Sequence, residues 1–402
     1  MISHERNLKL RVFTCTPKDF AGDETFFSRE SGMFCRGLSM LGAESRAVMP
    51  GSPRGEDDSA LIRTNYKNLQ DPEWWRPHNL DGVILYSWAA PRYTRIAEAI
   101  RAAGIRLCVC MDTEGVVSPY ANPREWFTSR FYRLWFESRG TKETLLAFAK
   151  YAVESVAAPV ARRRIRHYRA ADVITVPTPD GLVWVKNEAR RLGGEELASR
   201  FRYLPHPQSH LFYYDGTPKQ KLVITVARWA REDWGQKNPQ VLIEAYRRFL
   251  AMQPDWRGMI IGSEATRLLE RLGIPPITGL EFLDRISSEK LPEFYRKASI
   301  GFWSSRSEGQ QGTAAQALCC GASVVSHGSA NMSCFRHYVT RGSGRLAQAN
   351  RPEALAKQLA LEADAWEAGE RDPVAISAAW TKEFHAEAVA ARALGFLGLN
   401  PQ

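Results

Sequence analysis

Short apolar runs alternate with amphipathic stretches along most of the chain, and that alternation admits few folds. Residues 8–14, 45–49, 83–88, 105–110 and 173–176 read as strands, with helical periodicity over 28–41, 93–103 and 180–192. After the turn-rich segment 214–218 the pattern restarts, with strands at 222–227, 259–261 and 300–304 and helices at 239–250, 288–297 and 353–365. Alternating strands and helices build doubly wound parallel sheets. A chain of 402 residues is long enough for two such cores. The expected fold is therefore α/β with two doubly wound Rossmann-like domains. The first spans 1–212 with an irregular insert over about 120–170, the second spans 213–375, and a helical tail occupies 376–402. Asn238 is expected to cap the helix that Pro239 opens.

Charge narrows the partners. The formal net charge is +10, with a pI near 9.3. Between Arg124 and Arg169 eleven basic residues stand against four acidic ones. Trp126, Phe127, Phe131, Tyr132, Trp135 and Phe136 lie among those arginines, and Leu145, Phe148, Ala149, Ala152, Val153, Val156 and Val160 recur at helical spacing. Two readings stay open for 126–169: a helix lying on an anionic membrane surface, or a helix packed on its own domain. No nucleic-acid-reading motif accompanies the charge, so nucleic acid is not an expected partner. No apolar run approaches the roughly 18 residues of a membrane span, and the polar start has no signal-peptide core. The expected location is the cytoplasm, with peripheral attachment to the inner membrane face where the first reading of 126–169 holds. Seven cysteines without paired C-x-x-C spacing predict small buried thiols and neither a zinc site nor a structural disulfide.

Residues 304–325 carry the strongest functional signal. A strand runs into the polar turn Glu308-Gly309-Gln310-Gln311-Gly312-Thr313, then into a short helix and another strand. Such a turn directs backbone N–H groups and the positive end of the helix toward a ligand above the sheet, which suits a diphosphate. The segment resembles the donor-site signature of retaining glycosyltransferases of family 4, which have two facing Rossmann-like domains (the GT-B architecture). That signature reads Glu-Gly-Phe-Gly-Leu, three residues, Glu, Ala, two residues, Cys-Gly, and then Pro-Val-Val. Glu308, Gly309, Ala317, Cys320, Gly321, Val324 and Val325 match it. Gln310 and Gln311 replace Phe-Gly, Gly312 replaces Leu, and Gln316 replaces the second Glu. Residues 203–212, Val226-Ala227-Arg228, Gln236-Lys237-Asn238-Pro239 and Ile260-Ile261-Gly262 resemble further elements of that family, although Glu264 stands where its second glycine would be.

The resemblance implies a metal-independent transfer of a sugar from a nucleotide-sugar donor to a glycan or lipid-linked acceptor, with no cofactor. Arg228 and Lys237 would clamp the diphosphate and Glu308 the donor sugar. Gly309, Gly312 and Thr313, with Gly262 and Ser263, would face the phosphates, and Gln316 would bind the ribose through one neutral acceptor. It also implies a C-terminal helix crossing back to the first domain. Gly22, after the first strand, would let backbone approach phosphate, or serve only as a turn. His206 and His327 read as packing residues. Asp112 and Glu114 follow a strand end, as acceptor contacts. They also imitate an Asp-x-Asp metal site, which keeps a metal-dependent or inverting transferase with Asp112 as base in view. Gln316 keeps open a catalytically silent relative that binds nucleotide or carbohydrate. A dehydrogenase fits less well, since Gly342-Ser343-Gly344 does not open a helix after an early strand.

Overall fold

The computed structural model describes residues 9–111, 140–156 and 158–399, with Arg124, Phe127, Phe131, Leu134 and Trp135. Among the described residues the chain forms two parallel sheets. The first contains β1 (Val12–Cys15), β2 (Ala47–Pro50), β3 (Leu61–Thr64), β4 (Gly82–Tyr86), β5 (Arg106–Cys110), β6 (Val173–Val176) and β7 (Phe201–Tyr203), in the order β3-β2-β1-β4-β5-β6-β7. The second contains β8 (Gln220–Val226), β9 (Arg257–Ile261), β10 (Leu280–Leu283), β11 (Ala298–Phe302), β12 (Ser323–His327) and β13 (Gly344–Ala347), in the order β10-β9-β8-β11-β12-β13. The order reverses at β1/β4 in one sheet and at β8/β11 in the other.

Parallel strands covered on both faces read as unbroken apolar runs, and β4 is such a run, all five residues buried. Its side chains alternate between two cores. Val83 and Leu85 pack with Ile96 and Ile100 of the helix Thr94–Ala102. Ile84 and Tyr86 pack on the other face with Phe34, Leu38, Val389 and Leu394. In β8, Leu222, Ile224 and Val226 face one core and Val223 the other.

The chain passes between the halves twice. Leu204 still packs in the first core and Phe212 already packs in the second. The return comes at 384–386 rather than at 376. Ile376, Trp380 and Phe384 of the helix Pro373–Phe384 belong to the second core, and the helix Ala386–Phe396 then packs on Glu30–Met40 of the first domain. Gly37 is required there, because a Cβ would stand 2.3 Å from the Ala386 carbonyl oxygen. The two crossings are joined: Gln208 N–H donates to Phe384 O (2.7 Å) and Ala386 N–H donates to Gln208 O (2.9 Å).

Two other expectations change. Asn238 does not cap through its side chain; it adopts a left-handed backbone (φ 55°) and its Nδ2 reaches Ser304 O. Within the insert the described residues include two separate helices, Thr141–Val156 and Ala158–Arg169. Ala158–Arg169 packs on its own domain through Ile165, Tyr168 and the buried Arg164–Glu188 pair (2.6 Å), while Thr141–Val156 leaves Leu145, Leu146 and Val153 more than 60% exposed. All seven cysteines are buried free thiols.

Candidate active site at the second sheet's reversal point

Open α/β sheets bind ligands beyond the carboxyl ends of their strands where the order reverses. In the second sheet that place is a cavity of about 480 Å³. Arg228, Gly262, Ser263 and Arg285, which follow β8, β9 and β10, line it with Lys237, Gly312, Thr313 and Gln316. The first domain contributes Ser28, Arg29, Glu30 and Met33, and the crossing contributes Gln208. The cavity thus lies in the cleft between the halves, which also touch where Ser28 Oγ meets Ser288 Oγ at 3.2 Å.

Local sequence sets this wall. Gly262 has φ 145°, and a Cβ there would stand 1.7 Å from Ala227 O, so only glycine lets the β8 and β9 ends come together. The helix Gly312–Cys319 begins at the cavity with Gly312 and Thr313, bringing its positive end to the pocket. Thr313 Oγ1 is anchored on Val226 O (3.0 Å).

Lys237 and Glu308 form a buried pair at 2.6 Å, with side chains 10% and 5% exposed. Gln236 Nε2 donates to the second carboxylate oxygen at 3.1 Å. The Gln311 carboxamide also donates to that oxygen at 3.1 Å, oriented so that its own oxygen accepts from Trp303 Nε1 and Thr313 Oγ1. Such hydrogen bonds offset the desolvation of a buried carboxylate. The loops that bring the pair together are tied by Arg306, which donates from its backbone N–H to Gln236 O and from its side chain to Trp234 O and Gly235 O. Lys237 lines the cavity; Glu308 and Gly309 lie behind it, outside the lining residues. Arg228 differs in setting. It is 71% exposed and its guanidinium pairs with Asp233 at 2.9 Å.

Two of the three glutamines that depart from the family signature reach the first crossing. Gln310 Oε1 accepts from His206 N–H (2.5 Å) while its Nε2 donates to His206 O (3.0 Å). Gln316 Nε2 donates to Gln208 Oε1 (3.0 Å).

Arg228, Lys237, Gly262, Ser263, Gly312, Thr313 and Gln316 thus line one cavity. Gly22 is not among the lining residues. A Cβ there would stand 2.1 Å from Asp57 Oδ1 and 2.4 Å from Leu61, so loop packing accounts for it. Asp112 and Glu114 lie outside the described residues. His206 is buried and bonded to Tyr86 Oη (2.6 Å), and His327 Nε2 donates to Ser305 O (2.7 Å). Arg285, Arg29 and Gln208 escaped sequence reasoning. Arg285 follows β10, so recognising that short strand would have pointed to it.

Residues 220–361 match the family model described as glycosyl transferases group 1. A search by sequence of curated proteins finds no match. Similar solved structures include HepE of Anabaena in complex with UDP, at 12% identity, 97% coverage of this chain, 100% of that one and a TM-score of 0.62. Sucrose-phosphate synthase of Thermosynechococcus elongatus follows at 14%, 96%, 97% and 0.58. The lipopolysaccharide outer core galactosyltransferase WaaB has values of 13%, 97%, 99% and 0.59. These likenesses give the fold, GT-B.

Proposed function

We propose that this chain, whose residues 220–361 match the family model of group 1 glycosyl transferases, moves a sugar, with retention at the anomeric carbon, from a nucleotide-sugar donor in the cleft cavity to a glycan or glycolipid acceptor. The observation that carries this reading is the single cavity that gathers Arg228, Lys237, Gly262 and the start of the helix Gly312–Cys319. A departing nucleoside diphosphate needs fixed positive charge and oriented amides, and these groups supply both. Lys237, held by Glu308, offers a preoriented ammonium; Arg228, more exposed, can swing its guanidinium fork from Asp233 to a phosphate. Glu308, which lies behind the cavity wall, acts by orienting Lys237. Gln316 would accept from the ribose.

UDP in the HepE structure supports a nucleoside diphosphate in this cavity. Retention rests on the resemblance of residues 308–325 to the retaining family. WaaB supports an acceptor of the surface-polysaccharide or glycoconjugate kind. With Arg228 and Lys237 neutralising the leaving group, the reaction is proposed to need no metal. Unchanged turnover in EDTA is the expected result, and loss of turnover would turn attention to Asp112 and Glu114.

No helix among the described residues is long and apolar enough to cross a membrane. Leu145, Leu146 and Val153 nonetheless form an exposed apolar face on Thr141–Val156, near the exposed Phe127 and Trp135. Arg162, Arg166 and Arg169 line a separate depression of about 630 Å³ on the next helix. An apolar face beside cations suits the surface of an anionic bilayer, so the proposed setting is the cytoplasmic face of a membrane.

Thermal stabilisation by a panel of nucleotide sugars tests the donor. A ligand at 100 times its Kd adds about 2.7 kcal/mol, and NMR of the product then reads the anomeric configuration. Absence of stabilisation by every nucleotide sugar would overturn the reading.

A further inference from the structure

Gln208 stands where the two interdomain crossings meet and where the donor cavity ends. Its backbone is bonded on both sides, to Phe384 O and from Ala386 N–H, so the residue has little freedom to shift. Its side chain is 3% exposed and lines the cavity. The amides there run in one direction. Gln208 Nε2 faces His206 O at 3.5 Å, Gln316 Nε2 donates to Gln208 Oε1 at 3.0 Å, and Gln316 Oε1 is buried with no protein partner. A carboxamide has one acceptor end and one donor end, so fixing the nitrogen of Gln316 fixes where its oxygen faces. A buried acceptor without a partner carries a free-energy cost that a ligand hydroxyl would remove.

We propose that Gln208 is a positioning residue for donor binding: it orients the Gln316 carboxamide so that one neutral acceptor faces a donor hydroxyl, and anchors that acceptor to the joined crossings. The inference rests on the proposed donor site. Were Gln208 removed, the Gln316 amide could turn its nitrogen to the cavity and lose the hydroxyl as a partner. In the Gln208→Glu variant the new side chain has only acceptors, still takes the Gln316 N–H, and so preserves the orientation.

The test is calorimetric binding of UDP and GDP and of their 2′-deoxy and 3′-deoxy forms to the full chain. Wild type is expected to prefer the ribonucleotide over one deoxy form by about fivefold, the worth of one hydrogen bond. Gln208→Ala is expected to weaken the ribonucleotide by that factor and to leave the deoxy form unchanged, bringing the ratio to about one. Gln208→Glu is expected to keep the wild-type ratio. Equal weakening of both forms in Gln208→Ala would mean a merely structural role and would overturn the proposal. So would loss of the ratio in Gln208→Glu, which decides the matter even where Gln208→Ala fails to fold. A wild type that binds both forms equally overturns it while leaving the donor site standing. A wild type that binds neither UDP nor GDP removes that donor site and this inference with it.

Discussion

Beyond β8 and β11 the second sheet presents Arg228, Lys237 and Glu308, whereas beyond β4 the first sheet presents buried histidines bonded to hydroxyl groups. There His206 is bonded to Tyr86, and His167 is fully buried between Ser87 Oγ (3.1 Å) and Thr94 Oγ1 (3.3 Å). Burial pushes the His167 imidazole down to about 4, so it is uncharged at neutral pH. The two sheets share one architecture and differ in what their edges hold. Charge is concentrated where a diphosphate would sit; hydroxyl and imidazole groups, matched to one another, fill the other side.

The largest expected effect breaks the charged side. Lys237→Ala should lower turnover about a hundredfold or more, as loss of a fixed electrostatic group does. It should also destabilise the fold by about 3–5 kcal/mol, because Glu308 is left buried and unpaired. The paired change Lys237→Met with Glu308→Gln should recover most of that stability and none of the turnover. Denaturant midpoints and initial rates on all three proteins separate the two roles, and near-normal turnover in Lys237→Ala would refute the assignment.

The neutral side is broken by acid. An unfolded histidine protonates near pH 6.5, while folded His167 resists protonation to about 4. Stability from this residue is complete above pH 6.5 and is lost as pH falls from there to 4, by about 3 kcal/mol in all. Denaturant unfolding at pH 7, 5.5 and 4 should show that slope in wild type and a shallower one in His167→Gln. Identical slopes would mean that other groups carry the acid response.

A smaller effect sharpens the contrast within the cavity. Arg228→Ala should cost about tenfold in turnover, yet leave the melting temperature within error, since exposed ion pairs such as Arg228–Asp233 contribute about 0–1 kcal/mol. A clear drop in melting temperature would mean that the arginine is structural. Smallest is the membrane face. Leu145→Ser with Leu146→Ser and Val153→Ser should weaken sedimentation with phosphatidylglycerol vesicles severalfold and leave turnover on a soluble acceptor unchanged. Equal sedimentation of both proteins would remove the membrane from the account.

Sequence legibility followed the same division. In the second half Arg228, Lys237, Gly262 and residues 308–325 stood out through their resemblance to a family pattern, which short local stretches of sequence carry. The Lys237–Glu308 pair could not be read, since 71 residues separate its partners and only the fold brings them together. Gln310 and Gln316 read as losses from a family pattern, yet both bond to the crossing at 206–208, a contact without sequence signal. β3 was missed because Arg63 interrupts its apolar run; the structure buries that guanidinium against Asp57 and Asp19. β10, only four residues long and with an exposed Glu281, gave no period to read.

The central claim is that the cations of the second domain receive the leaving diphosphate, and crystals soaked with UDP or GDP test it most directly. The account predicts a pyrophosphate within hydrogen-bonding distance of Lys237 Nζ and the Gly312 and Thr313 amides, with the Arg228 guanidinium turned onto it. A pyrophosphate bound elsewhere, remote from both Arg228 and Lys237, would contradict it.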